Sequence, residues 1–561
     1  MTDLYQRIES ELIAPGGAFE IHEEEILGSR MPCFKTRARS LRELLATSSG
    51  HGNAEYIVCG DRRVTYSDNL RMVAQAAEGL RRKYGIGHGD RVAIFAENHP
   101  EWITSFWATV SLGGIVAALN GWWTADEAHY AVDLAEPKLI IADKKRLERF
   151  GDRLPDAPIL DLEQDFAELL AIAPNAELPD DDIAEDDSAV ILFTSGTTGR
   201  PKGALQTHRG MLGFVQVAFL HGYRNMLIAA EEGNAPAGEQ PPMSSLITAP
   251  LFHLSGLHNG AVMMLAAGAK TVWRLGRFDP VDVLDIIQKE RITQWAGLGA
   301  MVPRVLSHPD IDKYDLSSLR NLGTGGAPTS AEVQARMRDV LSKNPSGAGG
   351  VGLGYGSSET VTPIAMIGGN DLLEHPTSVG RIQPTHQAEI RTDAGEVQGE
   401  GCEGEIFVRS PYTMLGYWRN DTATAETIDN DRWLATGDIG RFEDGRLYIN
   451  SRARDLILRG AENVYPVEIE HRLEAHAEVV EAAVVGIDHP ELGQEIKAIV
   501  VLTGDAGIDA DGLRSWVAES LASFKVPREW EFRSEALPRN ATGKVLKNVL
   551  LGEAENLFVE E

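Results

Sequence analysis

Short, unbroken apolar runs recur through the first half of the chain, set among longer stretches rich in helix formers. Residues 91–96 (RVAIFA), 138–143 (KLIIAD) and 189–193 (AVILF) have the texture of strands buried on both faces. Tyr66–Tyr84, just before the first of them, reads as a helix. This alternation predicts an α/β fold with mainly parallel sheets. The greasiest stretch, 107–123, is broken by Gly113-Gly114 and Asn120-Gly121 and is short for a membrane span, so it is predicted to be core. The pattern changes near Ser451. Beyond it, helices are predicted over 466–473 and 513–521, and strands over 479–487 and 495–502. The expected organisation is a large multi-subdomain N-terminal domain, 1–453, and a small α+β C-terminal domain, 454–561. The acidic run 180–187 (DDDIAEDD) reads as a solvated connector, and 231–242 as a surface insertion.

The 561 residues allow about three or four folding units of roughly 150 residues each. Hydrophobic residues at 43% exclude wholesale disorder. Asp and Glu number 83 against 53 Lys and Arg, a net charge of −30. That field repels nucleic-acid phosphates and anionic lipid, so no nucleic-acid partner and no integral membrane association are expected. Cys33, Cys59 and Cys402 match no metal spacing or disulfide framework, as expected in a reducing compartment. The opening MTDLYQRIESELIA carries acids where a secretion signal needs basic and then greasy residues, and a cytoplasmic location follows as the expectation.

Two glycine-rich segments differ in meaning. Gly347, Gly349 and Gly352 satisfy G-x-G-x-x-G, but a dinucleotide fingerprint needs a strand before it and a helix after it. Here 342–346 reads as loop and 351–355 starts no helix, so dinucleotide binding is not expected. By contrast, the apolar strand ending at Phe193 runs straight into Thr194-Ser195-Gly196-Thr197-Thr198-Gly199 and then Arg200-Pro201-Lys202-Gly203. Glycines free backbone amides to face a ligand, hydroxyls add donors, and Lys202 adds a cation. The result is an anion cradle suited to a polyphosphate, without the Walker spacing.

This loop resembles the T-S-G-T-T-G-x-P-K-G signature of the acyl/aryl-CoA synthetase, luciferase and peptide-synthetase adenylation superfamily. Further motifs follow in the same order. Gly325-Gly326-Ala327-Pro328 is similar to the adenine-contacting segment, and Tyr355-Gly356-Ser357-Ser358-Glu359-Thr360 to Y-G-x-T-E, with Ser358 in place of Thr. Tyr417-Trp418 and 433–438 (WLATGD) resemble G-Y-x and W-x-x-T-G-D. Arg452 with 460–466 (GAENVYP) resembles R-x-K-D…G-G-E-N-I-Y-P, and 538–544 (PRNATGK) the terminal P-R-x-x-x-G-K. The likeness covers nearly the whole chain. It implies an AMP-forming acyl-CoA synthetase whose C-terminal domain is mobile.

The implied chemistry is attack of a carboxylate on the α-phosphorus of ATP, release of pyrophosphate, and displacement of AMP by a thiol. Two unit charges of like sign at 4 Å repel by about 4 kcal/mol at an intermediate dielectric, so cations must be set in place beforehand. The resemblance implies that Lys544 bridges carboxylate and phosphate, and that Glu359 with Thr194 holds Mg²⁺. It implies that Thr194, Ser195, Gly196, Thr197, Thr198, Gly199 and Lys202 cradle phosphates. Gly325, Gly326, Ala327, Tyr355, Gly356, Ser357 and Ser358 would frame adenine. Asp438 would take the ribose hydroxyls, and Arg452 ribose or phosphate. Arg454 is the implied hinge, and Arg459, Gly460, Ala461 and Glu462 the CoA-facing segment. Ala461 and Ser451 stand where relatives carry Gly.

Phe252-His253 stands where amino-acid-activating relatives have Phe-Asp, so an α-ammonium substrate is not expected. His253, Gly256, Ala327 and Gly354 are the expected acid-site residues, with Leu254, Leu257, Met263 and Met264 suited to an apolar tail. Trp122-Trp123 is a candidate cap or plain packing. The leading function is an acid:CoA ligase for a fatty or bulky apolar carboxylate. An acyl-AMP ligase loading a carrier protein, a luciferase-like oxygenase, and a non-enzymatic nucleotide-binding scaffold stay open. The intact Lys544, Glu359, Asp438 and Lys202 argue against the last. A homodimer is permitted by the sequence but not specified, and the acid is not named by it.

Overall fold

The computed structural model describes residues 2–151, 153–194, 200–234, 240–299, 301–325, 329–344, 350–452, 455–459, 462–504, 506–540 and 543–554. Among these, the strands form sheets of seven, thirteen, five and two strands. The architecture is α/β, with a large N-terminal part and a small C-terminal lobe.

In the seven-stranded sheet, Ile159–Asp161, Leu139–Ala142, Arg91–Phe95, Ile115–Ala118 and Ser188–Thr194 run parallel. Lys202–Thr207 then turns back antiparallel on Ser188–Thr194, and Gly416–Tyr417 closes the edge. The three apolar runs read from sequence are its inner strands. Both faces are covered, which is why they need no polar alternation. Tyr66–Tyr84 is helical over its whole expected length. The Thr65 side chain caps its start, and Gly85, at φ +66°, stops it. The 107–123 stretch is core, as its composition predicts: Trp107 is fully buried at the end of helix Pro100–Ser111, and Ile115–Ala118 follows as an inner strand.

The thirteen-stranded sheet is parallel in its middle, through Glu55–Cys59, Lys270–Trp273, Ser244–Ile247, Gln294–Leu298, Asn321–Gly325 and Gly350–Tyr355. From Ala365–Gly368 onward it turns antiparallel, through Ser378–Ile382, Arg446–Arg452 and Leu434–Glu443. The segment 351–355 starts no helix, as expected; it lies in strand Gly350–Tyr355. The C-terminal lobe packs helices Pro466–Glu474 and Ala510–Ala518 on the hairpin Val479–His489/Gly493–Leu502, around its own core of Ile469, Leu473, Val484, Ile496 and Leu513.

One expectation is corrected in part. Asp180 and Asp182 of the acidic run are exposed, but its C-terminal half is no solvated connector. Asp186 and Glu185 pair with Arg209, Glu185 also reaches Arg37, whose side chain is almost fully buried, and Asp187 meets His88. Arginines far away in sequence turn a repulsive run into a clamp beside the start of strand Ser188–Thr194. The 231–242 segment starts at the last residue of helix His208–Glu231, and the chain leaves it in a turn, exposed at Gly233 and Asn234. Residues 235–239 lie outside the described set.

Candidate functional site

Four neighbouring parallel strands of the large sheet end along one edge, and the loops leaving them carry most of the candidate residues. Ser244–Ile247 leads to His253, Gln294–Leu298 to Gly299, Asn321–Gly325 ends on Gly325 itself, and Gly350–Tyr355 on Tyr355. The C-terminal edge of a parallel sheet is where α/β folds place ligands, because loops converge there on exposed backbone groups.

At the first corner, Tyr355 Oη donates to Asp438 Oδ2 at 2.7 Å, and Arg452 Nε lies 3.3 Å from Asp438 Oδ1. Asp438 and Arg452 are register partners on antiparallel strands, so pairing sets their closeness. Burial, reinforced by the Asp438 charge, pushes the Tyr355 phenol well above its usual range, and it remains a donor. Asp438 is 8% exposed while the Arg452 side chain is 44% exposed: a buried acceptor beside an accessible cation.

The second corner is the hairpin mouth. Thr194 and Lys202 are partners across it, and the Thr194 hydroxyl lies 3.5 Å from the Lys202 carbonyl. Strand Gly416–Tyr417 brings Tyr417 alongside. Lys202 Nζ sits 4.9 Å from the centre of the Tyr417 ring, and Tyr417 Oη donates to Glu359 Oε1 at 3.0 Å. Burial raises the Tyr417 phenol, so it holds Glu359 as a neutral donor. Behind Glu359, the Ser357 amide donates to Thr360 Oγ1 at 2.8 Å, and buried Val361 sits at φ +64°. A β-branched residue there is strained, so the turn that aims Glu359 is held by its surroundings. Ser358 is tied down through its carbonyl, which accepts from Gln206 Nε2 at 2.8 Å. A Cβ on Gly356 would lie 2.8 Å from the Thr362 carbonyl, so only glycine fits. Among the described residues no three His, Cys, Asp or Glu gather. One carboxylate with a hydroxyl is instead a donor set that suits water-rich Mg²⁺.

The third corner follows strand Ser244–Ile247. Gly256 is forced by crowding, since a Cβ would stand 2.1 Å from the Pro250 carbonyl oxygen. The segment Ser255–Met263 is a π-helix, a winding that recurs at functional sites. Burial pulls His253 down to about 4 and His258 to about 3, so both rings are neutral near pH 7. Neither nitrogen of His258 has a hydrogen-bond partner among the described residues, and its ring packs 5.6 Å from Phe214. Trp122 stands edge-on to Phe252 at 5.0 Å, while Trp123 packs on Phe193. Only the first of the pair borders this corner.

The C-terminal lobe meets the same edge. Gly299 and Gly543 touch backbone to backbone, and the Gly299 amide donates to the Gly325 carbonyl at 3.0 Å. Lys544 thus follows directly on a residue seated beside the candidate adenine segment. Arg459 is engaged elsewhere, in an ion pair with Glu495 at 2.6 Å, and Glu462 is exposed on the neighbouring strand. Gly354 is exposed one residue before Tyr355. Ser195, Gly196, Thr197, Thr198, Gly199, Gly326, Ala327, Arg454, Gly460 and Ala461 lie outside the described residues. Sequence reasoning gave no role to Tyr417, His258 or Gly299. Tyr417 was visible as a motif residue, and a second histidine five places after His253 was a faint signal. Gly299 had none.

Residues 45–418 match the model of the AMP-binding enzyme family, and 468–544 that of the AMP-binding enzyme C-terminal domain. A feruloyl-CoA synthase of Amycolatopsis sp. is 33% identical over 89% of this chain and 95% of that protein. A long-chain-fatty-acid–CoA ligase of Bacillus subtilis is 31% identical over 88% and 90%. The solved structure of an amide bond synthetase from Marinactinospora thermotolerans superposes with a TM-score of 0.78 at 29% identity, over 91% of this chain and 99% of that one.

Proposed function

The chain belongs to the AMP-binding enzyme family as an adenylate-forming acid:CoA ligase, and from that premise we propose that its substrate is a fatty or bulky apolar carboxylic acid. The observation that carries this reading is the neutral, apolar corner around His253, where no carboxylate among the described residues acts on the ring.

In the first step a substrate carboxylate oxygen attacks the α-phosphorus, the bond from that phosphorus to the bridging oxygen breaks, and pyrophosphate leaves. In the second, the CoA sulfur attacks the acyl carbon, AMP leaves with the bonding pair, and the thiol proton is lost. Asp438 accepts the ribose hydroxyls while Tyr355 and Arg452 hold its carboxylate in place. Lys202 and the loop after Thr194 neutralise phosphate charge. Lys544 bridges the two reacting anions and offsets their repulsion. Glu359 and Thr194 are the residues that would hold Mg²⁺, which when bound supplies positive charge to the phosphate oxygens. Arg454 is the proposed hinge between 1–453 and 454–561, and Arg459, Gly460, Ala461 and Glu462 the proposed CoA-facing segment.

A panel of fatty, aryl and polycyclic carboxylates, scored by AMP release with and without CoA, tests this reading. CoA-dependent release with apolar acids is the expected result. Release that needs an amine or a carrier protein instead of CoA would reassign the acceptor. Turnover confined to amino acids would overturn the reading of the His253 corner.

A further inference from the structure

The contact between Gly299 and Gly543 joins the two lobes through backbone alone. Gly299 has φ +52°, and a Cβ built on it would stand 2.5 Å from the Gly543 carbonyl oxygen, 3.0 Å from its carbonyl carbon and 3.2 Å from its Cα. These are the three nearest atoms, so what a methyl group would strike first is the other lobe. Gly543, at φ +76°, is constrained more mildly, with the Leu298 carbonyl oxygen 3.3 Å from where its Cβ would be.

Both sides of the contact are fixed. On the N-terminal side, the Gly299 amide is tied to the Gly325 carbonyl at 3.0 Å. On the C-terminal side, Arg539 Nη1 donates to the Gly543 carbonyl at 2.7 Å, while Nη2 of the same guanidinium is paired with Glu481. Asn540 closes the turn. Its carbonyl accepts from the Gly543 amide at 2.9 Å, and its side-chain oxygen from the Lys544 amide at 3.0 Å. Gly543 and Lys544 are thus braced by Arg539 and Asn540, on a strut anchored in the C-terminal lobe through Glu481.

We propose that Gly299 is a docking notch for the lysine loop: a positioning residue whose missing side chain lets the C-terminal lobe seat Lys544 at the sheet edge for the first half-reaction. This rests on the assignment of Lys544 to adenylation. The notch acts only while the lobes are docked, so filling it penalises that arrangement and spares any arrangement in which the lobe has swung away. Arg539 acts from the other side, since the carbonyl it holds is the atom that enters the notch.

Gly299→Ala is compared with Gly60→Ala, which carries the same left-handed backbone (φ +59°) with nothing within 4 Å of its Cβ. The lobes are followed by the distance between spin labels on Cys402, the exposed native cysteine, and on a second cysteine introduced by Ser520→Cys on the C-terminal lobe. The two half-reactions are read separately, by acid-dependent pyrophosphate exchange and by thioester formation from supplied acyl-adenylate. Gly299→Ala should deplete the docked distance and slow pyrophosphate exchange by about ten- to a hundredfold, with the second half-reaction unchanged. Gly60→Ala should alter neither. An unchanged distance distribution in Gly299→Ala overturns the notch whatever the activity, as does equal loss of both half-reactions. If Lys544→Ala retains pyrophosphate exchange, the assignment of Lys544 fails instead, and the label distances still decide the notch.

Discussion

The hydroxyl of Tyr355 donates at 2.7 Å to the carboxylate of Asp438, 83 residues further along the chain, and so joins the end of a parallel strand to the antiparallel part of the same sheet. If this pair presents the carboxylate to ribose, Tyr355→Phe and Asp438→Asn should each raise the KM for ATP and leave that for the acid unchanged. A double-mutant cycle should return a coupling of about 1–2 kcal/mol.

If Lys544 bridges the two reacting anions as proposed, Lys544→Ala should lower acid-dependent pyrophosphate exchange at least about a hundredfold. Thioester formation from supplied acyl-adenylate should stay within about threefold. Rapid-quench assays of the separate half-reactions check both values.

Tyr417 Oη holds Glu359 Oε1 at 3.0 Å. Glu359→Gln should raise the Mg²⁺ concentration for half-maximal exchange about tenfold or more. Tyr417→Phe should raise it less, since the carboxylate remains but loses a guide. A Mg²⁺ titration at saturating ATP distinguishes the two.

Burial holds His253 near 4 and His258 near 3. Both lie below the ordinary histidine value, so the stability they contribute is present above about 6.5 and is lost as pH falls toward about 4. Acid preference should therefore be flat from pH 6.5 to 8. His253→Ala should change the ranking of acids in the panel and leave the ATP KM within about twofold.

Burial, with Glu470 adding to it, pushes Glu474 up to about 7 from an ordinary 4.5. Its folded form binds the proton more tightly than the unfolded chain does. The resulting stabilisation is complete below about 4.5 and lost as pH rises through about 7. At about 1.4 kcal/mol per unit the effect is at most ~3 kcal/mol, less what screening at its partly accessible surface removes. Glu474→Gln should raise the melting temperature at pH 8 and flatten its decline between pH 5 and 8.

Much of this was legible in the chain order of the residues. The inner strands announced themselves because a strand covered on both faces is uniformly apolar, and Tyr66–Tyr84 because its cap and stop are local. The candidate phosphate loop stands out in the sequence because its glycines and hydroxyls are contiguous, as an anion cradle requires. The roles proposed for Asp438, Glu359 and Lys544 came from resemblance and not from spacing.

Partnerships across sequence were beyond that reading. The acidic run at 180–187 looked solvated because its arginines come from Arg37, Arg209 and elsewhere. Tyr417 acquires its place only through the two-residue strand that sets it beside the hairpin. Gly299 looks like any loop glycine until the other lobe is seated on it. What lies within a few residues is governed by local sterics and periodicity, and the sequence by itself determined it. What depends on two segments meeting, the contacts of Tyr355 with Asp438 and of Gly543 with Gly299, only the tertiary structure decided, because side-chain range is a few ångströms and chain separation says nothing about which surfaces come within it.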